Sequence, residues 1–405
     1  MNKKRTQFKV AYILDSFPNT SETFISDEIL SVMELGIEVV IFSLNRPKSN
    51  VQHLRISEIL KETKIIYLSQ QSKKNKLKAL CQRLLLHRFK TTTVLMKLMH
   101  NGQESWKSSN AFSYASLIEN EGVDHIHAHY ADVASQTAMV ISSMTGLPYT
   151  FTTHGYDVFV SPPLNYRNLV LNSKKMICIS EFNKNYLMTK YDLPTSKIEV
   201  VHCGIYVNDY IKHNKKQIST KGQSVKILTV ARLLKIKGHS YLFKALKRLF
   251  DEGKISKRFT LTLAGDGPEY ESLVKQANKY GFENNIKFLG FQTQDQVAKL
   301  LAQCDFFVLP SLSEGIPISL MEAMASNKLV IAPNVNGVSE LVVDNETGFL
   351  FQPGNSKDLG DIIGKVIRSP DGFSEITTAA TEKIRQNFSR IENSKKLISL
   401  WRASK

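Results

Sequence analysis

The stretch SEGIPISLMEA, Ser313 to Ala323, sets two glutamates, Glu314 and Glu322, eight positions apart around Gly-Ile-Pro, just after the apolar run FFVLP. Pro317 suits the first position of a helix, where its missing N–H would be unpaired anyway. Gly315 lets a ligand approach the backbone closely. The free amides of such a helix start, those of Gly315, Ile316 and Ile318 around Pro317, favour anions and hydroxyls. Glu314 falls in the loop and Glu322 more than one turn inside the helix, so the two carboxylates reach different parts of one ligand. Carboxylates accept paired hydrogen bonds from vicinal hydroxyls, as on a sugar ring or a ribose. Attraction of acids to the helix dipole explains Glu314 but leaves Glu322 unexplained.

Four further stretches could carry chemistry. In VARLLKIKGH, Arg232 and Lys237 stand five apart in a Gly-terminated loop that opens a helix. Arg offers a bidentate fork and Lys a point charge, a pair that suits a diphosphate. A solvated basic loop is the plainer reading of that stretch alone. His154 ends the apolar strand YTFTT and is followed by Gly155, which places it at the edge of a sheet. AGDGPE reads as a strand-to-helix turn, with Asp266 or Gly267 as cap and Pro268 in the first turn. Gly265 and Asp266 of that turn are expected beside the ligand. The turn is not a dinucleotide fingerprint, which would need a glycine at Tyr270. DHIHAHY puts His125, His127 and His129 on one face of a strand, as a metal site would. Apart from Asp124 at the strand's start no acid or thiol stands among them, and the strand reads as buried, so the expectation is no metal, with His129 at the strand end facing the ligand. The chain contains no D-x-D, no G-x-x-x-x-G-K-[ST] and no G-x-S-x-G.

These groups need a scaffold. Short β-branched runs alternate with longer amphipathic segments, the pattern of β-α units and parallel sheets. The first half offers KVAYIL, VVIFSL, KIIYL, DHIHAH, YTFTT, MICIS and IEVVH as strands; the second offers KILTVA, FTLTLAG, IKFLG, FFVLP, LVIAP and GFLF. Helices are expected at Ser21 to Leu35, capped by Ser21, and at Gly238–Phe250, Glu269–Tyr280, Asp295–Cys304 and Pro317–Ala325. The series runs twice, which predicts two doubly wound α/β domains with ligands in the cleft at the strands' carboxyl ends. The divisions read as residues 1–205, a polar and basic linker 206–224, 225–388, and a last amphipathic helix within 389–405. A mostly helical basic insertion lies at about 70–122.

Bulk properties narrow the function classes. The 405 residues carry 42% hydrophobic and 22% charged side chains, ordinary for packed domains, but the net charge is +16. Between Lys64 and Gln103 there are nine Lys/Arg and no Asp/Glu. Nucleic acid, an anionic membrane surface or phosphorylated substrates could each answer such charge; no recognised nucleic-acid motif supports the first. In LKALCQRLLLHRFKTTTVLMKLMH cations alternate with Leu, Phe and Met, as on a membrane-surface helix; a solvated helical face fits equally well. No apolar run approaches the roughly 18 residues of a membrane span. The four cysteines are scattered, which fits a reducing cytoplasm.

Taken together, SEGIPISLMEA with Arg232 and Lys237 resembles the E-x7-E motif and Arg…Lys pair of retaining glycosyltransferases of family 4, the glycosyl transferases group 1 type. AGDGPE, ISEFNKNYL, VVHCGI and ELVVDNETGFLFQPG resemble that family's other blocks in order, and FPNTSETFISDE resembles a subgroup that builds bacterial surface and exopolysaccharides of the colanic-acid type. The resemblance implies a GT-B architecture of two Rossmann-like domains with the last helix crossing back to the first. It implies a nucleotide-diphosphate sugar donor, no cofactor and no metal, and a glycan or polyprenyl-diphosphate-linked acceptor. By motif position Glu322 would bind ribose hydroxyls, Glu314 the donor sugar, and Arg232 and Lys237 the diphosphate, with Gly265, Asp266 and the amides of Gly315 to Ile318 beside them. His154 would be the first-domain histidine at the reaction centre. The loop SFPNTSET lacks the glycines common in the family, and Ser21, Glu22, Thr23 and His129 are the acceptor-side candidates. The expected location is cytoplasmic, at the membrane face. A nucleotide-sugar epimerase on the same fold and an inactive scaffold subunit are the alternatives; intact Glu314, Glu322, Arg232 and Lys237 argue against the scaffold.

Overall fold

The computed structural model describes residues 7–19, 22–47, 54–70, 111–212, 225–255, 259–369 and 372–403. Ser21, most of the basic insertion and residues 213–224 lie outside them. The chain divides into two compact units, Met1–His202 with Ile391–Lys405, and Cys203–Arg390.

The first unit is a seven-stranded sheet in the order β3-β2-β1-β4-β5-β6-β7, every pairing parallel. Its strands are β1 (Lys9–Ser16), β2 (Glu38–Asn45), β3 (Lys64–Tyr67), β4 (His125–His129), β5 (Tyr149–Thr153), β6 (Lys175–Cys178) and β7 (Ile198–Val200). Continuous apolar strands arise because helices cover both faces. Along β1, Ala11 and Ile13 enter one core with the helix Val133–Thr145, while Val10, Tyr12 and Leu14 enter another with the helix Thr23–Glu34. The helix Arg390–Arg402 supplies Leu397, Ile398 and Trp401 to that second core. Trp401 is fully buried, stands edge-on to Tyr12 and donates its indole N–H to Thr150 Oγ1 at 3.1 Å.

The second unit repeats the plan with six parallel strands in the order β10-β9-β8-β11-β12-β13. These are β8 (Val225–Val230), β9 (Phe259–Ala264), β10 (Ile286–Phe288), β11 (Phe306–Val308), β12 (Leu329–Pro333) and β13 (Phe349–Phe351). Two cores again line its faces. In both sheets the strand order reverses beside the first strand, between β1 and β4 and between β8 and β11. Such a switch point leaves a crevice at the carboxyl ends of the strands, where open α/β sheets bind ligands.

Each sequence-predicted strand is a strand, and the four helices expected in the second unit fall within about two residues of expectation, with differences at their caps; the helices Val338–Leu341, Ser356–Arg368 and Ser374–Asn387 were not expected. Pro317 is the N-cap of the helix Ile318–Ala325 rather than its first residue, with an extended ψ of 119°. The helix after AGDGPE starts at Tyr270 with Glu269 as cap, not Asp266 or Gly267. Those residues stay extended because the loop after β8 pairs with them: Leu233 N–H donates to Asp266 O at 2.9 Å. A Cβ on Gly265 would stand 2.0 Å from Ala231 O, so only glycine permits the approach. The stretch that reads as linker begins with structure: Val207–Ile211 is a helix, and Val207 and Tyr210 are buried in the second unit.

Candidate active site

In the second unit the loops after β8 and β11 are clamped together. Leu312 N–H donates to Ile236 O at 2.8 Å. Gly238 sits at φ +66°, and a Cβ there would lie 2.1 Å from Pro310 O. This backbone fit carries Lys237 onto the SEG loop, where its Nζ meets Glu314 Oε1 at 2.7 Å. Ser311 Oγ donates to the same oxygen at 2.6 Å. The Glu314 side chain is 8% exposed and that of Lys237 23%, a half-shielded pair. Arg232 is exposed on the same loop. Gly265 and Asp266 flank it, Ala231 N–H donating to Ala264 O at 3.1 Å and Leu233 N–H to Asp266 O at 2.9 Å. Ile316 is buried. Glu322 is buried, and Tyr210 donates its hydroxyl to Glu322 Oε1 at 2.6 Å. Of the four charged residues singled out in the sequence, the fold joins Lys237 to Glu314, keeps Arg232 on their loop, and puts Glu322 inside the adjoining helix.

In the first unit the carboxyl ends of β4 and β5 meet the helix Thr23–Glu34. His129 ends β4 and His154 follows β5; Nδ1 of His129 and Nε2 of His154 are 3.0 Å apart. On the other side His129 Nε2 lies 3.1 Å from Glu28 Oε1, which also accepts from the Tyr12 hydroxyl at 3.1 Å. The His154 ring lies against Phe24, Tyr130 and His129. Asp157 braces it from below, accepting from His154 N–H at 2.8 Å and from Ala131 N–H at 2.7 Å. Burial pushes Asp157 up to about 7, against those two backbone donors. Tyr130, directly after β4, holds φ at +68°, an unusual conformation for a bulky residue and one that concentrates at functional sites. Glu22, the N-cap of the helix, bonds the Tyr130 and Asn19 side chains, and burial raises its carboxyl. Thr23 is the first residue of that helix.

Sequence spacing placed no acid but Asp124 near the three histidines. The fold overturns that: Glu28, Tyr12's partner, comes from the helix, and Glu28, His127 and His129 offer donor atoms within 4.8 Å of one another. These atoms are engaged in hydrogen bonds. His127 is held neutral by burial, with Nδ1 at 2.8 Å from Thr150 Oγ1 and Nε2 at 3.2 Å from Thr152 Oγ1. His125, pushed down to about 3 chiefly by burial, places Nε2 at 2.9 Å from Thr150 Oγ1. A hydroxyl donates once and accepts twice. With the Trp401 indole able only to donate, one histidine donates to Thr150 and the other accepts from it. Glu28, Asp157, Tyr210 and Ser311 were all missed by motif reading. The available signal was an acid between Ile25 and Ile29 on an apolar helix face, where a charge needs a partner.

Two all-parallel sheets of one strand order, each with polar groups gathered at its switch point, define the GT-B class of α/β proteins. The structure of HepE from Anabaena in complex with UDP superposes with a TM-score of 0.71 over 98% of this chain and 100% of that one, at 19% identity. Residues 211–387 match the family Glycosyl transferases group 1, and residues 22–209 match Glycosyltransferase Family 4. An uncharacterized glycosyltransferase of Methanocaldococcus jannaschii, MJ1178, is 30% identical over 264 residues, 63% of this chain and 69% of that protein. The amylovoran biosynthesis glycosyltransferase AmsK of Erwinia amylovora is 27% identical over 400 residues, 94% of this chain and 96% of that one. The chain therefore belongs to the family 4, group 1 glycosyltransferases, and is homologous to enzymes of exopolysaccharide biosynthesis. No helix of the described residues is long and apolar enough to cross a membrane.

Proposed function

We propose that this glycosyltransferase moves a sugar, with retained anomeric configuration and without a metal, from a nucleotide-diphosphate sugar to a glycan or polyprenyl-diphosphate-linked acceptor. The observation that carries the reading is the Lys237–Glu314 pair on the clamped loops at the carboxyl ends of β8 and β11. Breaking the bond from the anomeric carbon to phosphate builds negative charge on the leaving diphosphate and positive charge on the sugar. Arg232 and Lys237 oppose the first charge, which gives the leaving group its stabilisation without a metal. Glu314 takes the donor sugar's hydroxyls, Glu322 the ribose, and the amides of Gly315 to Ile318, with Gly265 and Asp266, complete the donor side. Retention follows from attack by the acceptor hydroxyl on the face the diphosphate leaves, so no protein nucleophile is assigned. His154 is the first unit's contribution to the reaction, with Glu22 and Thr23 on the acceptor side; His129, buried and with both ring nitrogens engaged by Glu28 and His154, stands behind His154 rather than against the acceptor. Residues 1–205 then serve the acceptor and 225–388 the donor. The basic stretch from Lys64 to Gln103 suits an anionic cytoplasmic membrane surface carrying the lipid-linked acceptor. Liposome flotation at low and high salt tests that point.

The test of the main reading is a thermal-shift screen against UDP-, GDP- and ADP-sugars, followed by transfer assays on the best donor. Lys237→Ala should lower turnover by on the order of 10²–10³, and Glu322→Ala should abolish donor stabilisation, both variants remaining folded. Wild-type turnover in either refutes the assignment. Donor incubated without acceptor should give no epimer.

A further inference from the structure

The first unit holds a string of buried polar side chains in which Glu28, a residue the motif assignments leave unused, is linked to His129 and His154. Glu28, on the helix Thr23–Glu34, sits against the end of β4, and His129 bridges it to His154. His129 is 1% exposed and His154 6%. Inside a protein an unmade hydrogen bond is expensive, so the proton positions follow from donor counting. A carboxylate only accepts. Glu28 Oε1 therefore takes a proton donor from Tyr12 Oη and another from His129 Nε2. A neutral imidazole protonated at Nε2 has a bare Nδ1, and that nitrogen faces His154 Nε2 at 3.0 Å. For this contact to be a hydrogen bond, His154 must carry its proton on Nε2. Its own Nδ1 is then an acceptor. Ring geometry agrees: the His129 and His154 planes are within 20° of parallel with centroids 5.3 Å apart and nitrogens 3.0 Å apart, so the two rings lie side by side and the nitrogens meet edge to edge. The backbone N–H of His154 is separately fixed by Asp157, which sets where the ring starts.

We propose that Glu28 and His129 are positioning residues that lock His154 in the Nε2-protonated tautomer, so that its Nδ1 can only accept a hydrogen bond and never donate one. The lock deepens the reading of His154 as a group that meets the sugar, and the sugar-side claim rests on that reading. A ring locked this way recognises a hydroxyl, which can donate, and rejects a group that can only accept, such as an O-alkyl ether. The same counting excludes His154 as a donor at Nδ1 while Glu28 remains ionised.

The test reads the tautomer directly. In protein with ¹⁵N-labelled histidine rings, free of ligand, His154 and His129 should each show a protonated Nε2 and a bare Nδ1. Because no substrate is present, this result stands or falls whether or not a nucleotide sugar is the donor. Finding the proton on Nδ1 of His154, or on both nitrogens of His129, overturns the proposal. Two substitutions then separate positioning from mere packing. His129→Asn keeps an oxygen that can accept from His154 Nε2, whereas His129→Leu removes the acceptor. The Leu variant should transfer about tenfold more slowly than the Asn variant, the size of one hydrogen bond, with KM for the donor unchanged. Equal turnover in the two overturns the lock's role in the reaction. Should the Leu variant not fold, the ligand-free ring spectrum decides alone, and a proton on Nδ1 of His154 overturns the proposal.

Discussion

Tyr210 donates its hydroxyl to Glu322 Oε1 at 2.6 Å, joining the helix Val207–Ile211 at the entry to the second unit to the helix Ile318–Ala325. Both residues are buried, so the bond fixes one oxygen of a carboxylate held out of water. Tyr210→Phe deletes one oxygen and little volume. It should lower the stability of the second unit by about 1–3 kcal/mol, the range for a hydrogen bond to a charged group. It should also shrink the thermal shift given by a nucleotide-diphosphate sugar. A variant that binds the donor as wild type does would show that Glu322 needs no such support.

Glu314 neutralises Lys237 before any ligand arrives. Removing that charge while keeping the shape, as Glu314→Gln does, leaves the lysine more available to an anion. Calorimetry with the free nucleoside diphosphate should give affinity equal to or above that of wild type, while sugar transfer falls by about tenfold or more, because the carboxylate no longer meets the sugar hydroxyls. Parallel loss of diphosphate affinity and of transfer would place Glu314 on the diphosphate instead.

Much of this molecule is legible in its sequence, and the reason is local. Parallel strands buried on both faces must be apolar throughout, so KVAYIL and FFVLP announce themselves, and repetition of the series gives two doubly wound units. The E-x7-E stretch and Arg232…Lys237 stand out because their spacing is set within one loop and one helix turn. The parts that were hidden depend on pairings between distant segments. Glu28 lies 101 positions from His129, Tyr210 lies 112 from Glu322, and nothing in either neighbourhood names the partner. The cap after AGDGPE was misplaced for a related reason. Gly-Asp-Gly-Pro has the composition of a helix start, yet a hydrogen bond from the β8 loop keeps it extended.

Asp132 caps the helix Val133–Thr145, its Oδ1 accepting from Ala134 N–H at 2.8 Å. Burial, aided by the charges of Asp15 and Glu22, pushes it up to about 7. An unfolded aspartate ionises near about 4. Between those values the folded chain holds a proton that the unfolded chain has lost, so this group's contribution falls as pH rises from about 4 toward 7 and is flat above. Asp132→Asn removes the titration and keeps an equally good cap. Relative to wild type, the variant should gain on the order of 2–3 kcal/mol between pH 5 and pH 8. Urea melts at the two values read the difference, and parallel curves would show that Asp132 is ionised throughout.

Trp401 makes the stability of the first unit depend on the far end of the chain. Its ring fills a space bounded by Tyr12, His125 and His127, and its N–H is one of the donors that Thr150 needs. Trp401→Ala empties that space, and a large-to-small change in a packed core is worth about 3–5 kcal/mol. Trp401→Phe keeps most of the volume and loses the indole donor, which leaves one lone pair of Thr150 unmatched and should lower stability by about 1 kcal/mol. Both changes lie in the first unit's core, while the loops after β8 and β11, which we propose to bind the donor, belong to the second unit with its own cores. Calorimetric unfolding should therefore show the first unit's transition moving down in that order while the thermal shift given by a nucleotide-diphosphate sugar survives. Loss of that shift together with the first transition would mean that the donor loops rely on the first unit for their shape.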